Sequence, residues 1–213
     1  MFEIKQGQEV ICGDSLEIMR TMPDKCFNLV LCDPPYGIGI DGSDESIVDG
    51  VQIRKKYEWG GWDKNIPSKE YFTEMVRVSK NIIVCGANYF NECLEQGHKG
   101  WVVWYKAQQG LTMSDCEIIY TSFDVPTRIF ILHRTHLWQE NPQHPTQKPI
   151  ELFKYLVANF SKESDTILDP FLGSGTTAIA CKQLNRNYIG IEISPEYCEI
   201  ARQRLASTTP PLF

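Results

Sequence analysis

An α/β fold built on a mostly parallel sheet is predicted by two observations. Short apolar runs rich in β-branched and aromatic residues recur along the chain, and helix-like stretches separate most of them. A third observation qualifies the first two: between 101 and 133 three such runs follow one another without a helix, which predicts an antiparallel portion there.

EVIC at 9–12 opens the series, and a helix is expected over 15–21. NLVLC at 28–32 is the next strand, and it ends on Asp33-Pro34-Pro35-Tyr36 because proline has no N–H to continue a ladder. Residues 37–50, dominated by glycine and acid, read as a loop whose Asp41, Asp44, Glu45 and Asp49 are mobile or turned outward. A helix at 68–78, the strand NIIVCG at 81–86 and a helix at 89–96 follow. WVVWY (101–105), CEIIY (116–120) and RIFIL (128–132) are the three consecutive strands, and polar residues 134–148 read as a connector. Pro149 opens a helix over 149–160, since proline is tolerated in a first turn whose N–H groups lack partners. TILD (166–169), a helix at 175–184, YIGIEI (188–193) and a helix at 195–205 started by Ser194-Pro195 complete the series. The tail STTPPLF reads as loosely held.

The 213 residues, 42% hydrophobic and 23% charged, suit a single domain spanning 1–213 with a sizeable core. No cationic stretch leads into an apolar run at the start, and no apolar run nears the roughly 20 residues that cross a bilayer, so neither secretion nor a membrane is expected. Eight cysteines include no C-x-x-C pair, so no metal site is expected; they read as small buried hydrophobes in a reducing cytoplasm. The net charge of −6 speaks against a polyanion partner, but its distribution does not. Residues 1–50 carry 3 basic and 10 acidic side chains, whereas 51–160 carry 13 and 11, so any nucleic-acid contact belongs to the middle of the chain.

Two motifs carry chemistry. Asp33-Pro34-Pro35-Tyr36 follows a strand, where ligands of open α/β sheets gather, and sets a fixed acceptor beside a flat ring. The plainer reading is a strand-ending turn with a solvated Asp. Asp169-Pro170-Phe171-Leu172-Gly173-Ser174-Gly175-Thr176-Thr177 joins a strand to a helix, and its glycines let a ligand approach the backbone. It lacks the full G-x-G-x-x-G and the Walker lysine, so a phosphate cradle is not the natural reading. Glu192 lies 19 residues beyond Gly173, at the spacing of an acid that holds ribose hydroxyls; alternatively it caps the following helix.

DPPY, then DPFLGSGTT, then IGIEIS, in that order, resembles the beta-class amino-DNA methyltransferases. Gly13-Asp14-Ser15-Leu16 and His144-Pro145-Thr146-Gln147-Lys148-Pro149 are similar to two further motifs of that family. The resemblance implies a Rossmann-like, S-adenosylmethionine-dependent methyltransferase fold: a mostly parallel seven-stranded sheet with one reversed strand, in circularly permuted motif order. It implies catalysis by Asp33, Pro34, Pro35 and Tyr36, with Asp33 and the Pro34 carbonyl accepting from a target amine and Tyr36 stacking on the base. For the cofactor it implies Asp14 at the adenine and Glu192 at the ribose. Asp33, Asp169, Phe171, Gly173, Ser174, Gly175 and Thr176 line the methionine end and the turn. Thr146, Gln147 and Lys148 approach the methionine carboxylate, although Lys148 also reads as a solvated lysine.

The same resemblance implies double-stranded DNA as partner, a flipped-out base, and a bacterial or phage-encoded cytoplasmic enzyme. Arg54, Lys55 and Lys56, with Lys106, Arg128 and Arg134, are the candidate DNA contacts, and 98–143 is the target-recognition segment. That segment is short, so recognition of a short site, aided by a homodimer, is expected. Trp101 and Trp104 read as core, and so does Cys32, because no proline precedes it as a cytosine-C5 nucleophile would require. Adenine N6 is the expected target, since the family tends to carry Asp in this motif for adenine and Ser for cytosine. Cytosine N4 stays open. So do an RNA substrate and a non-catalytic nucleic-acid-binding protein that keeps a cofactor pocket, while the missing third glycine counts against a nicotinamide oxidoreductase.

Overall fold

The computed structural model describes residues 7–42, 44, 46–48, 51–54, 56, 60–95, 97, 99–110, 114–133, 135–136 and 140–209, with backbone alone for 46–48 and 51–54. Ten strands are described: β1 Gln8–Cys12, β2 Phe27–Cys32, β3 Ser46–Val48, β4 Val51–Arg54, β5 Ser79–Val84, β6 Trp101–Tyr105, β7 Cys116–Thr121, β8 Arg128–Ile131, β9 Thr166–Asp169 and β10 Asn187–Glu192. The helices are α1 Ser15–Arg20, α2 Lys69–Val78, α3 Ile150–Phe160, α4 Thr176–Gln183 and α5 Pro195–Ser207. The main sheet runs β1-β10-β9-β2-β5-β7-β6-β8. The first five run parallel, β7 is antiparallel to both neighbours, and β8 is parallel to β6, so one strand is reversed. Eight strands rather than seven join it, because β8 pairs along the free edge of β6.

β2 shows why the central strands read as continuous apolar runs. Leu29 and Leu31 enter a core covered by α3, α4 and α5, while Val30 and Cys32 enter a second core covered by α1 and α2. A strand covered on both faces has no polar side to alternate with. Residues three apart on α2, namely Phe72, Met75 and Val78, supply one lid of that second core.

Two expectations are corrected. The helix expected at 89–96 is a short 3-10 turn, Ala87–Tyr89. Asn91 donates its amide to the Asn88 carbonyl, a local bond that competes with helix propagation. Within the expected loop 37–50, β3 pairs with β4 as an antiparallel hairpin. Its β-branched arms flank Asp49-Gly50, a turn signal that the acid-rich composition hid. Asp41 is buried rather than turned outward and Asp44 is exposed, while Glu45 and Asp49 lie outside the described residues. The segment folds back on buried Asp63, whose carboxylate accepts from the Gly37 and Ile40 N–H groups at 2.8 Å each.

Candidate active site

The sheet has one point where its winding reverses. From β9 the chain passes through α4 to β10 on one side, and from β2 it passes to β5 on the other. Crevices at such points, beyond the carboxyl ends of the strands, are where open α/β sheets bind ligands. Register aligns those ends: Cys12 opposes Glu192, Gly190 opposes Asp169, and Cys32 opposes Val84. The turns that follow β1, β2, β5, β9 and β10 therefore emerge together around a cavity of about 1490 Å³. Because β7 is reversed, it enters the sheet at this same edge and brings its second residue, Glu117, to the cavity.

Asp33 lies at the switch point. Lys148 holds both its oxygens, at 2.9 and 2.8 Å, and the Tyr36 hydroxyl donates to Oδ1 at 2.7 Å. Burial pushes the Asp33 carboxyl up, and the ammonium of Lys148 partly offsets it. Lys148 is buried, which opposes its charge, yet Asp33 and Glu117 hold it protonated. Lys148 is buried on the cavity wall rather than solvated, and its charge meets these two acids, with Glu117 Oε2 at 3.4 Å. Tyr36 stacks on Tyr89 with ring centroids 4.7 Å apart, and the Lys148 ammonium sits 4.8 Å from the Tyr36 centroid. Gly86, at φ +63°, makes this seat possible, since a Cβ there would lie 2.2 Å from the Tyr36 ring.

The turn after β9 is built from its own polar groups. Asp169 accepts from the Phe171 N–H at 2.9 Å and from the Thr177 hydroxyl. Gly175, at φ +92° and with its Cβ position against Ala201, opens α4 in a conformation that suits glycine alone. Glu192 ties the turn to β10, accepting from the Gly173 N–H at 2.8 Å and the Ser194 N–H at 2.9 Å. Burial pushes this carboxyl up, while those N–H groups pull it down. Acceptors on the cavity wall, buried at Asp169 and half-buried at Asp33 and Glu192, suit a cationic nucleoside with a free diol. Ser174 and Gln147 bond each other at 2.9 Å, and Thr146 bonds the His144 ring at 3.1 Å, so the connector is fastened onto the turn. Thr176 lines the same cavity. Asp14 adjoins the cavity: its Oδ1 caps α1 through the Leu16 and Glu17 N–H groups and accepts at 3.4 Å from the hydroxyl of Tyr71, which lines the cavity together with Gly13 and Ser15.

Of the six candidate DNA cations, the side chains of Lys56, Lys106 and Arg128 are described, and they occupy different places. Lys106 is buried, pairs with Glu117 Oε1 at 2.9 Å and lines the cavity. It follows β6 directly, at the end where reversed β7 begins, and the pairing of Trp104 with Glu117 and Tyr105 with Cys116 brings the two charges together. Lys56 is exposed at the cavity rim, and Arg128 is exposed on edge strand β8, away from the cavity lining. The Arg54 side chain, Lys55 and Arg134 lie outside the described residues. Trp104 is core, with its indole N–H on the Leu132 carbonyl at 2.9 Å, while Trp101 is half-buried against Tyr120.

Sequence reasoning missed several residues. Glu117 had a signal, a lone acid inside an apolar strand. Tyr89, on the cavity wall, had none. His144 lies between Trp62 and Tyr197, at 4.9 and 4.5 Å between ring centroids, and burial pushes its imidazole down to about 4.

Comparison with known proteins gives the geometry relatives. The sequence model of a family described as DNA methylase, N6_N4_Mtase, matches residues 96–203. The type II methyltransferase M2.LlaDCHI of Lactococcus lactis subsp. cremoris is 49% identical over 94% of this chain and 90% of its own. The Thermus thermophilus protein TTHA0409, solved with S-adenosyl-L-methionine, superposes with a TM-score of 0.63 at 20% identity, covering 96% of this chain and 97% of the other. PvuII DNA methyltransferase, cytosine-N4-specific, gives 0.62 at 16% identity, covering 93% and 86%.

Proposed function

The chain belongs to the DNA methylase family that acts on adenine N6 or cytosine N4, and from that premise we propose that it methylates the N6 amine of adenine in double-stranded DNA. S-adenosylmethionine supplies an electrophilic methyl group on a sulfonium. The observation that carries the reading is Asp33: an acceptor at the switch point of the sheet, held by Lys148 and Tyr36, on the wall of a large cavity.

The task for Asp33 follows from the substrate. The lone pair of an exocyclic amine is delocalised into the base ring, so the nitrogen is a poor nucleophile. The Asp33 carboxylate and the Pro34 carbonyl, both fixed, accept its two hydrogens and favour a tetrahedral nitrogen whose lone pair faces the methyl group. This is positioning and electrostatic preorganisation in one direct displacement. Pro35 stiffens the turn, and Tyr36, backed by Tyr89, offers the aromatic wall for the base. Glu192 takes the ribose hydroxyls. Gly173 and Gly175 let the donor approach the turn, and Asp169, Phe171, Ser174 and Thr176 close the methionine end with Thr146 and Gln147. Asp14, if it is to meet the adenine amine, must do so with the oxygen that does not cap α1. A base in a duplex cannot reach Asp33, so it leaves the stack. At about 1490 Å³ the cavity exceeds the space a single drug-sized ligand needs, in keeping with a cofactor and a base side by side.

The test is nucleoside mass spectrometry after incubating the protein with S-adenosylmethionine and unmethylated mixed-sequence DNA. N6-methyladenine is the expected product. N4-methylcytosine would keep the mechanism and overturn the choice of base, since the same two acceptors serve either amine. Methylated RNA, or no methylated base, would overturn the substrate.

A further inference from the structure

Glu117 is the unassigned charge nearest to Asp33, and its surroundings are specific. Its Oε1 takes Lys106 at 2.9 Å. Its Oε2 lies 3.4 Å from the Lys148 ammonium and 3.3 Å from the Tyr36 hydroxyl. Those are the same two donors that hold Asp33, at 2.7–2.9 Å. One oxygen thus stands as a second seat for both donors of the residue that meets the amine. Two lysines and two acids make the cluster neutral, and without Glu117 it would carry a net positive charge beside a nitrogen that becomes cationic.

We propose that Glu117 is a positioning residue that takes over Lys148 and Tyr36 when Asp33 gives up its charge, so that the cluster stays paired through the reaction. The inference rests on the reading of Asp33 as the acceptor of the target amine. In the displacement the nitrogen lone pair forms the bond to the methyl carbon, and the carbon–sulfur pair stays on sulfur as a thioether. The methylated nitrogen then passes one proton to the Asp33 carboxylate. Neutral Asp33 is a weaker partner for an ammonium. Lys148, buried and unable to reach water cheaply, has Glu117 within a side-chain shift.

The charged and titratable groups around Asp33 agree with this order of events. Lys148 precedes α3, Tyr36 follows β2, Glu117 is the second residue of β7, Lys106 follows β6, Cys85 follows β5 and Asp169 ends β9. Burial raises the Asp33 carboxyl. At Glu117 burial acts the same way, but Lys148 and Lys106 overcome it and hold that carboxyl low. Asp33 is therefore the better seat for the proton and Glu117 the lasting counter-ion.

Two measurements test the handover. The first is a crystal structure of Asp33→Asn, which imitates the protonated acid and needs no substrate. Lys148 and Tyr36 are expected on Glu117, at about 2.8 Å. Lys148 remaining on residue 33, or turned out to solvent, would overturn the proposal. The second is single-turnover methyl transfer to unmethylated mixed-sequence DNA across pH, with wild type, Glu117→Gln and Glu117→Asp. Glu117→Gln is expected to slow transfer about tenfold, with cofactor affinity unchanged and partial recovery in Glu117→Asp. Its acid limb should move to lower pH, because a negative charge that disfavours ionised Asp33 has gone. An unchanged rate and limb would remove any role for Glu117, and a vanished limb would make Glu117 itself the proton acceptor. If wild type itself transfers no methyl group, the substrate reading fails while the crystallographic test still decides the handover.

Discussion

The turns after β2 and β9 begin alike and become different devices. Each starts with an Asp followed by proline, half-buried at Asp33 and buried at Asp169, on neighbouring strands at the switch point of the sheet. Asp33 is met by a cation brought from the connector before α3. Among the described residues no cation pairs with Asp169, which instead accepts from its own turn, through Phe171 and Thr177. Burial pushes the Asp169 carboxyl up to about 7, eased by those two donors. At Asp33 the same burial is opposed by Lys148. What an Asp-Pro turn does is thus set by what the fold delivers to it: a distant lysine makes one a charged acceptor on a cavity wall, and a local hydroxyl makes the other a brace.

Substitution should separate the two most sharply at Asp33. Asp33→Ala is expected to cut methyl transfer by about a thousandfold or more, while calorimetry finds S-adenosylmethionine binding within a few-fold of wild type. Lost binding with retained turnover would exchange the roles of the two turns. Glu192→Ala, on the Asp169 side, should act the other way. It removes a charged acceptor and strands the Gly173 and Ser194 N–H groups, so cofactor affinity should fall about 10- to 100-fold. Turnover at saturating cofactor should fall far less. Asp169→Ala comes next, as a brace lost: about 2 kcal/mol of stability, or roughly 4–8 °C in Tm, read by thermal unfolding. Asp169→Asn keeps an acceptor and should recover most of it.

The two turns also differ in how far sequence could carry them. The β9 turn is local: Asp169, Phe171, Thr177 and the glycines lie within nine residues, and Glu192 follows at a fixed strand–helix–strand distance. Its geometry is therefore written in spacing. The β2 turn is not local. Lys148 is 115 residues from Asp33, and Glu117 is 81 residues from Tyr36. Only the reversed strand and the connector bring them together, and strand direction leaves no mark on a short apolar run. The partner of Lys106 is hidden for the same reason: on a one-dimensional chain it is a lysine after a tryptophan-rich strand, and only the pairing of β6 with β7 brings Glu117 to it. The sheet itself was legible, because its strands are short apolar runs, and the central ones, such as β2 and β10, bury both faces. The hairpin β3–β4 was hidden by its acidic neighbours.

The smallest expected effect separates the braced side into two opposed titrations. His144 is fastened to Thr146 and packs between Trp62 and Tyr197, and burial holds it neutral down to about 4. Unfolded, it would bind a proton below about 6.5, so between those values the unfolded chain holds the extra proton and stability is lost as pH falls. Asp169 has the opposite sign. Folded, it keeps its proton up to about 7, whereas an exposed Asp releases it near 3.9, so its share of stability is lost as pH rises across that window. The two slopes overlap between about pH 4 and 6.5 and oppose each other. Chemical denaturation across that range should therefore tilt in opposite directions in two variants. His144→Asn should make stability fall more steeply with rising pH, and Asp169→Asn should flatten or reverse the fall. Parallel curves would mean that neither group titrates differently on folding. A single tilt would identify which side of the cavity wall carries the buried proton.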